Sequence, residues 1–452
     1  MSLRFRTETH QGLFLLSSFP RAPRVLLRNA HVPLVALGSP LAAEGALARA
    51  DILIVDGMIE SIVPAGAPAQ AAAVYDCDDG LVLPALVDIH THLDKGHIWP
   101  RKANPDGSFM GALVAVAEDR VGHWDAEDVE RRMEFAVRCA YAHGTAAIRT
   151  HIDSFPPQHE ISWDVFDRVR DRWAGKVDLQ GVALVGPDAM ADRLLYWEVA
   201  ERARASGGVL GGAIAADPGA REAIFNVVEI AGAIDMELDL HVDETLEPSS
   251  SALRHLADAV IETGYKRRVL AGHCCVLSVQ DHDVAMATID RVAEAGISVV
   301  SLPMCNLYLQ HRRNEPLLET PRFRGVTLVN ELKAAGVKVA LASDNTRDPF
   351  YAYGDLDGLE VFREGARIAH FDHPQTDAWE WLSALGTTAA AIAGFGARGT
   401  IAAGLPADLI LVRARHWTEL HSRPQSDRIV LRAGKAIDTT LPDYRELDDL
   451  MR

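Results

Sequence analysis

Gly80-Leu81-Val82-Leu83-Pro84-Ala85-Leu86-Val87-Asp88-Ile89-His90-Thr91-His92-Leu93-Asp94-Lys95 decides how this chain is read. It is an apolar run that ends abruptly in His-x-His. In an extended strand, side chains at i and i+2 point to the same side. His90 and His92 therefore converge, and Thr91 turns away. Two imidazoles on one side of a strand end are a ready pair of metal ligands. With a third protein ligand and one open position they make a catalytic site.

Downstream of this run, helix and buried strand alternate. Asp125 reads as the N-cap of a helix with acids in its first turn. Val129, Met133, Ala136, Val137 and Ala140 follow at helical spacing, and Gly144 ends it. Strands are then expected at 145–153, Val177 to Leu184, Val209 to Ala215, Leu238 to Val242, Arg268 to Ala271, Ile297 to Leu302 and Val337 to Ala342. With Leu81 to Ile89 these make eight. Alternation implies a parallel sheet, and eight units imply a (β/α)8 TIM barrel. A doubly wound open sheet is the alternative, but no Gly-x-Gly-x-x-Gly follows a first strand. Helices at Leu356 to Ile368 and Asp377 to Ala393 would close the barrel.

Short strand-like segments bracket this region. Val25 to Asn29 and Ala50 to Ile62 lie before it, with a hairpin signal at Asp56-Gly57. Ala407 to Val412 and Arg428 to Lys435 lie after it. The expected architecture is α/β: a barrel with a small β-sandwich built from both chain ends. Residues 1–80 and 396–452 would form the sandwich, and 81–395 the barrel.

The chain has 452 residues, 48% hydrophobic and 24% charged, with a formal net charge of −18. That charge argues against nucleic acid or an anionic membrane as partner, and leaves a small heterocyclic substrate open. The apolar run Leu13-Phe14-Leu15-Leu16 is too short for a signal core, and no stretch is long enough to span a membrane. Five scattered cysteines without a C-x-x-C pair fit a reducing cytoplasm. The adjacent Cys274 and Cys275 read as packing. Self-association into a homo-oligomer stays open.

In a (β/α)8 barrel, chemistry sits at the C-terminal ends of the strands. The polar residues gather there: His90 and His92, His151 and Asp153, His241-Val242-Asp243-Glu244, His273, and Ser343-Asp344-Asn345. His90, His92, His241 and Asp344 supply three imidazoles and a carboxylate, a set suited to one divalent ion, Zn or Fe. Such an ion lowers the pKa of a bound water. Glu244, three residues after His241, is placed to move a proton. His273 is placed to orient the attacking water.

This constellation resembles the amidohydrolase superfamily, and its cytosine deaminase branch in particular. The likeness rests on His90-Thr91-His92-Leu93-Asp94, Arg149-Thr150-His151-Ile152-Asp153, His241-Val242-Asp243-Glu244, Asn306-Leu307-Tyr308-Leu309-Gln310 and the run from Ala342 to Tyr351. It implies a single metal at His90, His92, His241 and Asp344, Glu244 as proton shuttle, and His273 and Asp344 as further catalytic groups. It implies substrate contacts at Asp94, His151, Asn345 and Phe350. Lys95 resembles the lysine of a His-x-His-x-x-Lys arrangement in the aminohydrolase that removes an alkylamine from a hydroxylated triazine. The binuclear branch bridges two metals with a lysine on the fourth strand, and Val209 to Ala215 contains none.

Two departures concern the substrate. Cytosine deaminases carry a glutamine just after the third strand, where this chain reads Val182 to Met190 without one. Phe350 stands where that branch has a tryptophan. The expected activity is a metal-dependent aminohydrolase that expels ammonia or an alkylamine from an amidine-like carbon of a pyrimidine, triazine, purine or pterin-like ring. Cyclic-amide hydrolysis on the same fold is one alternative, and a catalytically silent barrel acting as scaffold is another.

Overall fold

The computed structural model describes residues 19–43, 45–68, 71, 73–216, 218–312 and 319–452, so the Leu13 to Leu16 run lies outside the described residues. Alternating apolar residues open the chain as strands β1 (Arg24–Pro33), β2 (Leu47–Val55), β3 (Met58–Pro64) and β4 (Ala73–Asp76), in the sheet order β3-β2-β1-β4. The hairpin expected at Asp56-Gly57 is present, with φ of 48° and 87°, the two positive angles that favour Asp-Gly in such turns. Gly57 is needed twice over, because a Cβ there would meet the Ala433 carbonyl oxygen at 2.6 Å.

The decisive apolar run is not one strand but two. β5 (Val82–Pro84) and β6 (Leu86–Thr91) change partners at Ala85. The Ala85 N–H donates to Asp408 at 2.9 Å, whereas the Leu86 N–H donates to Gly144 at 3.0 Å. Pro84 has no N–H to extend the first ladder, so the switch falls next to it.

From here all pairing is parallel until the last strands. β6, β7 (Thr145–Asp153) and β8 (Asp178–Leu184) form a three-stranded sheet in that order. β9 (Leu210–Ile214), β10 (Leu238–Val242), β11 (Val269–His273), β12 (Ser298–Ser301) and β13 (Val339–Leu341) form a five-stranded one. Isolated parallel bridges run from Val182 to Val209 and from Thr91 to Asp344. The expected strands are therefore all present, with ends shifted by a few residues. β14 (Leu409–Leu411), β15 (Ile429–Arg432) and β16 (Lys435–Ala436) then return antiparallel onto β5, in the order β16-β15-β14-β5.

Two helices precede β7. α1 (Phe109–His123) was not foreseen, and α2 (Ala126–His143) follows the predicted pattern. In α2 the Asp125 carboxylate accepts from the Asp128 N–H at 2.9 Å, and Gly144 caps the other end at φ 99°. α1 has no continuous apolar stripe. Ala112, Ala115 and Val116 are buried, while Met110 and Val121 are 63% and 88% exposed.

The helix expected at Asp377 to Ala393 is broken into a 3-10 turn, Ala378–Leu385, and a short helix, Thr387–Ala393. The break is at Gly386, where the backbone of Gly399 passes so close that a Cβ on Gly399 would lie 2.4 Å from it. Among the described residues no helix is long and apolar enough to cross a membrane.

One buried ion pair ties the returning chain to the central sheets. Arg428 donates from both Nη atoms to the Asp357 carboxylate, each at 2.7 Å, and Asp357 also caps the helix Gly358–Ala369 through the Leu359 N–H. Burial alone would push the Asp357 carboxyl up, but the Arg428 guanidinium outweighs it and holds the group below its ordinary value. A carboxyl depressed in the folded state stabilises above its unfolded pKa, and that contribution is lost as pH falls through the folded value. Asp357→Ala should therefore cost about 3–5 kcal/mol near neutral pH, because it strands a buried guanidinium. The difference from the native protein should shrink below roughly pH 4. Chemical denaturation at two pH values measures both, and a change under about 0.5 kcal/mol at neutral pH would contradict the reading.

Candidate active site

The polar strand ends converge where β6 meets the end of β13. Asp88 accepts from the Ser343 N–H and hydroxyl, and the Asp344 N–H donates to the His90 carbonyl at 2.9 Å. Gly272 on β11 leaves room for the His90 ring, since a Cβ there would stand 2.9 Å from its Cε1. Asp243, His273 and Asp344 leave their strands with φ of 53°, 69° and 65°. Non-glycine residues rarely adopt that region, and such strain concentrates at functional sites.

On this floor His241 Nε2 lies 3.2 Å from His90 Nε2 and 3.2 Å from His92 Nε2. Asp344 Oδ1 lies 3.2 Å from His92 Nε2 and 3.7 Å from His90 Nε2. Burial first, and then the crowding of neighbouring imidazoles, with Lys95 adding to it at His90 and His92, hold His90, His92 and His241 well below the ordinary histidine range, so the rings are neutral. One ring proton cannot satisfy three facing nitrogens, so lone pairs confront one another. That is the arrangement a cation relieves, and ligands about 2.1 Å from one ion would stand about 3.4 Å apart in a tetrahedron. The donor set fits a divalent metal.

His151 lies behind His90, with its Nε2 3.2 Å from His90 Nδ1. With Nε2 of His90 turned to the cluster, a proton on its Nδ1 would be donated to His151, the kind of outer support that a metal-ligating histidine uses.

Glu244 and His273 stand beside this cluster. His273 Nδ1 is 3.0 Å from Asn306 Nδ2 and 3.4 Å from Glu244 Oε1, and Asn306 Nδ2 is 3.4 Å from the same oxygen. The Asn306 amide donates to Nδ1, which leaves the proton on His273 Nε2, a buried atom with no partner among the described residues. Burial pushes His273 down to about 3, so it acts as a neutral donor. Burial, with Asp344 adding to it, pushes Glu244 well up, and Lys95 opposes that. The adjacent Asp243 faces away and caps the helix Ala252–Thr263 through the Ala252 and Leu253 N–H groups.

A cavity of about 650 Å³ opens above these groups. Its lining includes His92, His241, Glu244, His273, Lys95, Asn345 and Phe350, so these expected residues do come together. Lys95 is buried, 3.8 Å from Asp153 Oδ1 and 5.1 Å from the Phe350 ring centre. Asp94 and His151 are not on the lining. Asp94 accepts the Asp153 N–H at 2.8 Å, and His151 backs His90, so both support the site from below rather than facing a substrate.

The wall after β8 is Leu184, Val185, Gly186 and Pro187, without a carboxamide. β9 carries no lysine, and its Gly211 sits between the Ala183 and Asp239 carbonyl oxygens, each 2.5 Å from where a Cβ would be. Sequence reasoning missed Phe109, Arg120, Asp153 and Gln310 on the lining. Asp153 and Gln310 stood in quoted motifs, but Phe109 and Arg120 belong to α1.

Residues 202–437 match the amidohydrolase family. A pterin deaminase of Rhizobium rhizogenes is 53% identical over 433 residues, 96% of this chain and 98% of that protein. The chain belongs to the amidohydrolase family. This amidohydrolase is a hydrolase of carbon–nitrogen bonds, so the expected deaminase class is borne out.

Among solved structures, a 5-methylcytosine deaminase from Klebsiella pneumoniae liganded with 5-fluorocytosine superposes with a TM-score of 0.76, at 23% identity, over 93% of this chain and 98% of that one. An N-isopropylammelide isopropylaminohydrolase from Burkholderia multivorans gives 0.71, at 25% identity, over 93% of this chain and 100% of that one.

Proposed function

We propose that this amidohydrolase removes the exocyclic amino group of a pterin-like bicyclic heterocycle, with one divalent ion, Zn or Fe, held by His90, His92, His241 and Asp344. The observation that carries the substrate class is the near full-length identity of 53% to a pterin deaminase. The cavity agrees with it, since about 650 Å³ lies within the usual range for small-molecule sites.

The fold around the site is read as a closed eight-stranded barrel. The two isolated bridges support this, because each joins the free edges of the two parallel sheets. The two four-stranded sheets from the chain ends are read as a separate β-sandwich, with β5 joining the C-terminal one. The five free, buried cysteines agree with a reducing cytoplasm.

When bound, the metal would supply Lewis acidity that makes water a nucleophile near neutral pH. Glu244 takes a proton from the attacking water and hands it to the ring nitrogen beside the amidine carbon. The oxygen adds to that carbon, and His273 Nε2–H donates to it as charge develops. Asp344, beside the same oxygen, helps hold the tetrahedral state. The hydroxyl of that tetrahedral state gives its remaining proton, through the Asp344 carboxylate, to the exocyclic nitrogen as the C–N bond breaks, so ammonia leaves and an oxo group remains on the ring carbon. Phe350 covers the ring face, and Asn345 and Lys95 meet its polar edge.

Without a carboxamide on the wall after β8, a one-ring amide has fewer partners, and unpaired polar groups cost transition-state binding. Pterin should therefore exceed cytosine in kcat/KM by ~10²-fold or more. Ammonia release from pterin, cytosine and an alkylamino-triazine measures this. If cytosine is the best substrate, the pterin reading is wrong.

A further inference from the structure

Arg120 is the one cation that α1 brings to the cavity. Its Nη1 donates to Asp153 Oδ2 at 2.8 Å, while Asp153 Oδ1 faces Lys95 at 3.8 Å. Two cations thus share one carboxylate, and all three side chains are largely buried. The guanidinium lies 4.4 Å from the Phe155 ring centre, which fixes its plane. Among the described residues no other hydrogen-bond partner takes its remaining N–H groups, and the lining beside it is apolar: Leu113, Val116, Ala117 and Phe155.

A guanidinium does not deprotonate, and it matches a carboxylate with a two-pronged fork. Donors left unpaired against an apolar wall are costly, so this wall favours an acceptor. Glu244 and His273 fix the amine end of the substrate in the buried floor. Arg120 reaches the cavity from the α1 wall, and its side chain is 16% exposed against 1% for His273 and 10% for Glu244, so it stands nearer the mouth than they do.

We propose that Arg120 forms a subsite for an anionic substituent carried by the substrate at the end of the ring system remote from its amine, and so sets specificity. This rests on the pterin reading above. Asp153 is the positioning residue that holds Arg120 and Lys95 apart, one toward the mouth and one toward Phe350.

The test uses three probes: pterin, pterin with a carboxylate on its pyrazine ring, and the carboxamide of the same size. In the native, metal-loaded enzyme the carboxylate should exceed the carboxamide in kcat/KM by about tenfold or more, the scale of a hydrogen bond to a charged group. The difference should lie in KM. Arg120→Gln should bring that ratio close to one, and Arg120→Lys should restore part of it. Metal content and circular dichroism establish that each variant is folded. If the native enzyme deaminates all three probes without preferring the carboxylate, or if Arg120→Gln keeps the preference, the subsite is wrong and the pterin reading stands. If no probe is deaminated, the pterin reading falls and this inference with it.

Discussion

Glu244→Gln is expected to keep its metal and lose turnover by ~10²-fold or more, the usual scale for removing a general acid–base group. Glutamine has the shape of glutamate, and its carbonyl oxygen can still accept from Asn306, which lies 3.4 Å from Glu244 Oε1. It cannot take a proton. Among the described residues the clusters of metal-binding geometry are His90, His92 and Asp344, and His90, His151 and His241, and Glu244 is in neither. Metal content should therefore be unchanged, and the loss should fall on kcat rather than KM. Elemental analysis beside steady-state kinetics separates the outcomes. A variant that loses its metal would make Glu244 a ligand, and one that keeps native turnover would leave the proton transfer to another group.

The convergence of His90, His92, His241 and Asp344 was legible because each residue ends an apolar run. His90 and His92 follow from the period of a strand, and the alternation around them leads to the parallel sheets. Asp94 and His151 show the limit of that reasoning. A strand end tells which residues are near the site, but not whether a side chain turns up to the cavity or down to support it. That depends on partners far away in sequence, such as the Asp153 N–H for Asp94.

Phe109 and Arg120 were illegible for another reason. α1 packs Ala112 and Val116 on the core, turns Phe109, Leu113 and Ala117 to the cavity and leaves Met110 and Val121 exposed, so its apolar residues mark no single stripe, and periodicity is the signal by which helices are found. The split between β5 and β6 was hidden as well. Both halves are buried and apolar, and only the change of partner at Ala85 divides them.

His241→Ala should remove metal and activity together while the fold survives. His241 lies near the end of β10, and its Nε2 is 3.2 Å from both His90 Nε2 and His92 Nε2, so it stands against His90 on β6 and His92 just beyond it. Its loss leaves two imidazoles and a carboxylate, and affinity should drop with the ligand count. The strand itself does not depend on the ring. β10 is held by backbone ladders to β9 and β11, and Leu238, Leu240 and Val242 remain to pack the face opposite His241.

Removing the ring also removes a desolvated group whose neighbours disfavour its charged form. In a metal-free comparison the variant should therefore be no less stable than the native chain by more than the ~2–3 kcal/mol of a truncated core side chain. In the metal-loaded comparison the native chain gains the binding energy and the variant does not. Thermal unfolding with and without a chelator reads this directly. The native protein should shift on chelation and His241→Ala should not. A variant that binds stoichiometric metal and keeps full turnover would mean that His241 is not a ligand, and the four-residue assignment would have to be rebuilt around His151.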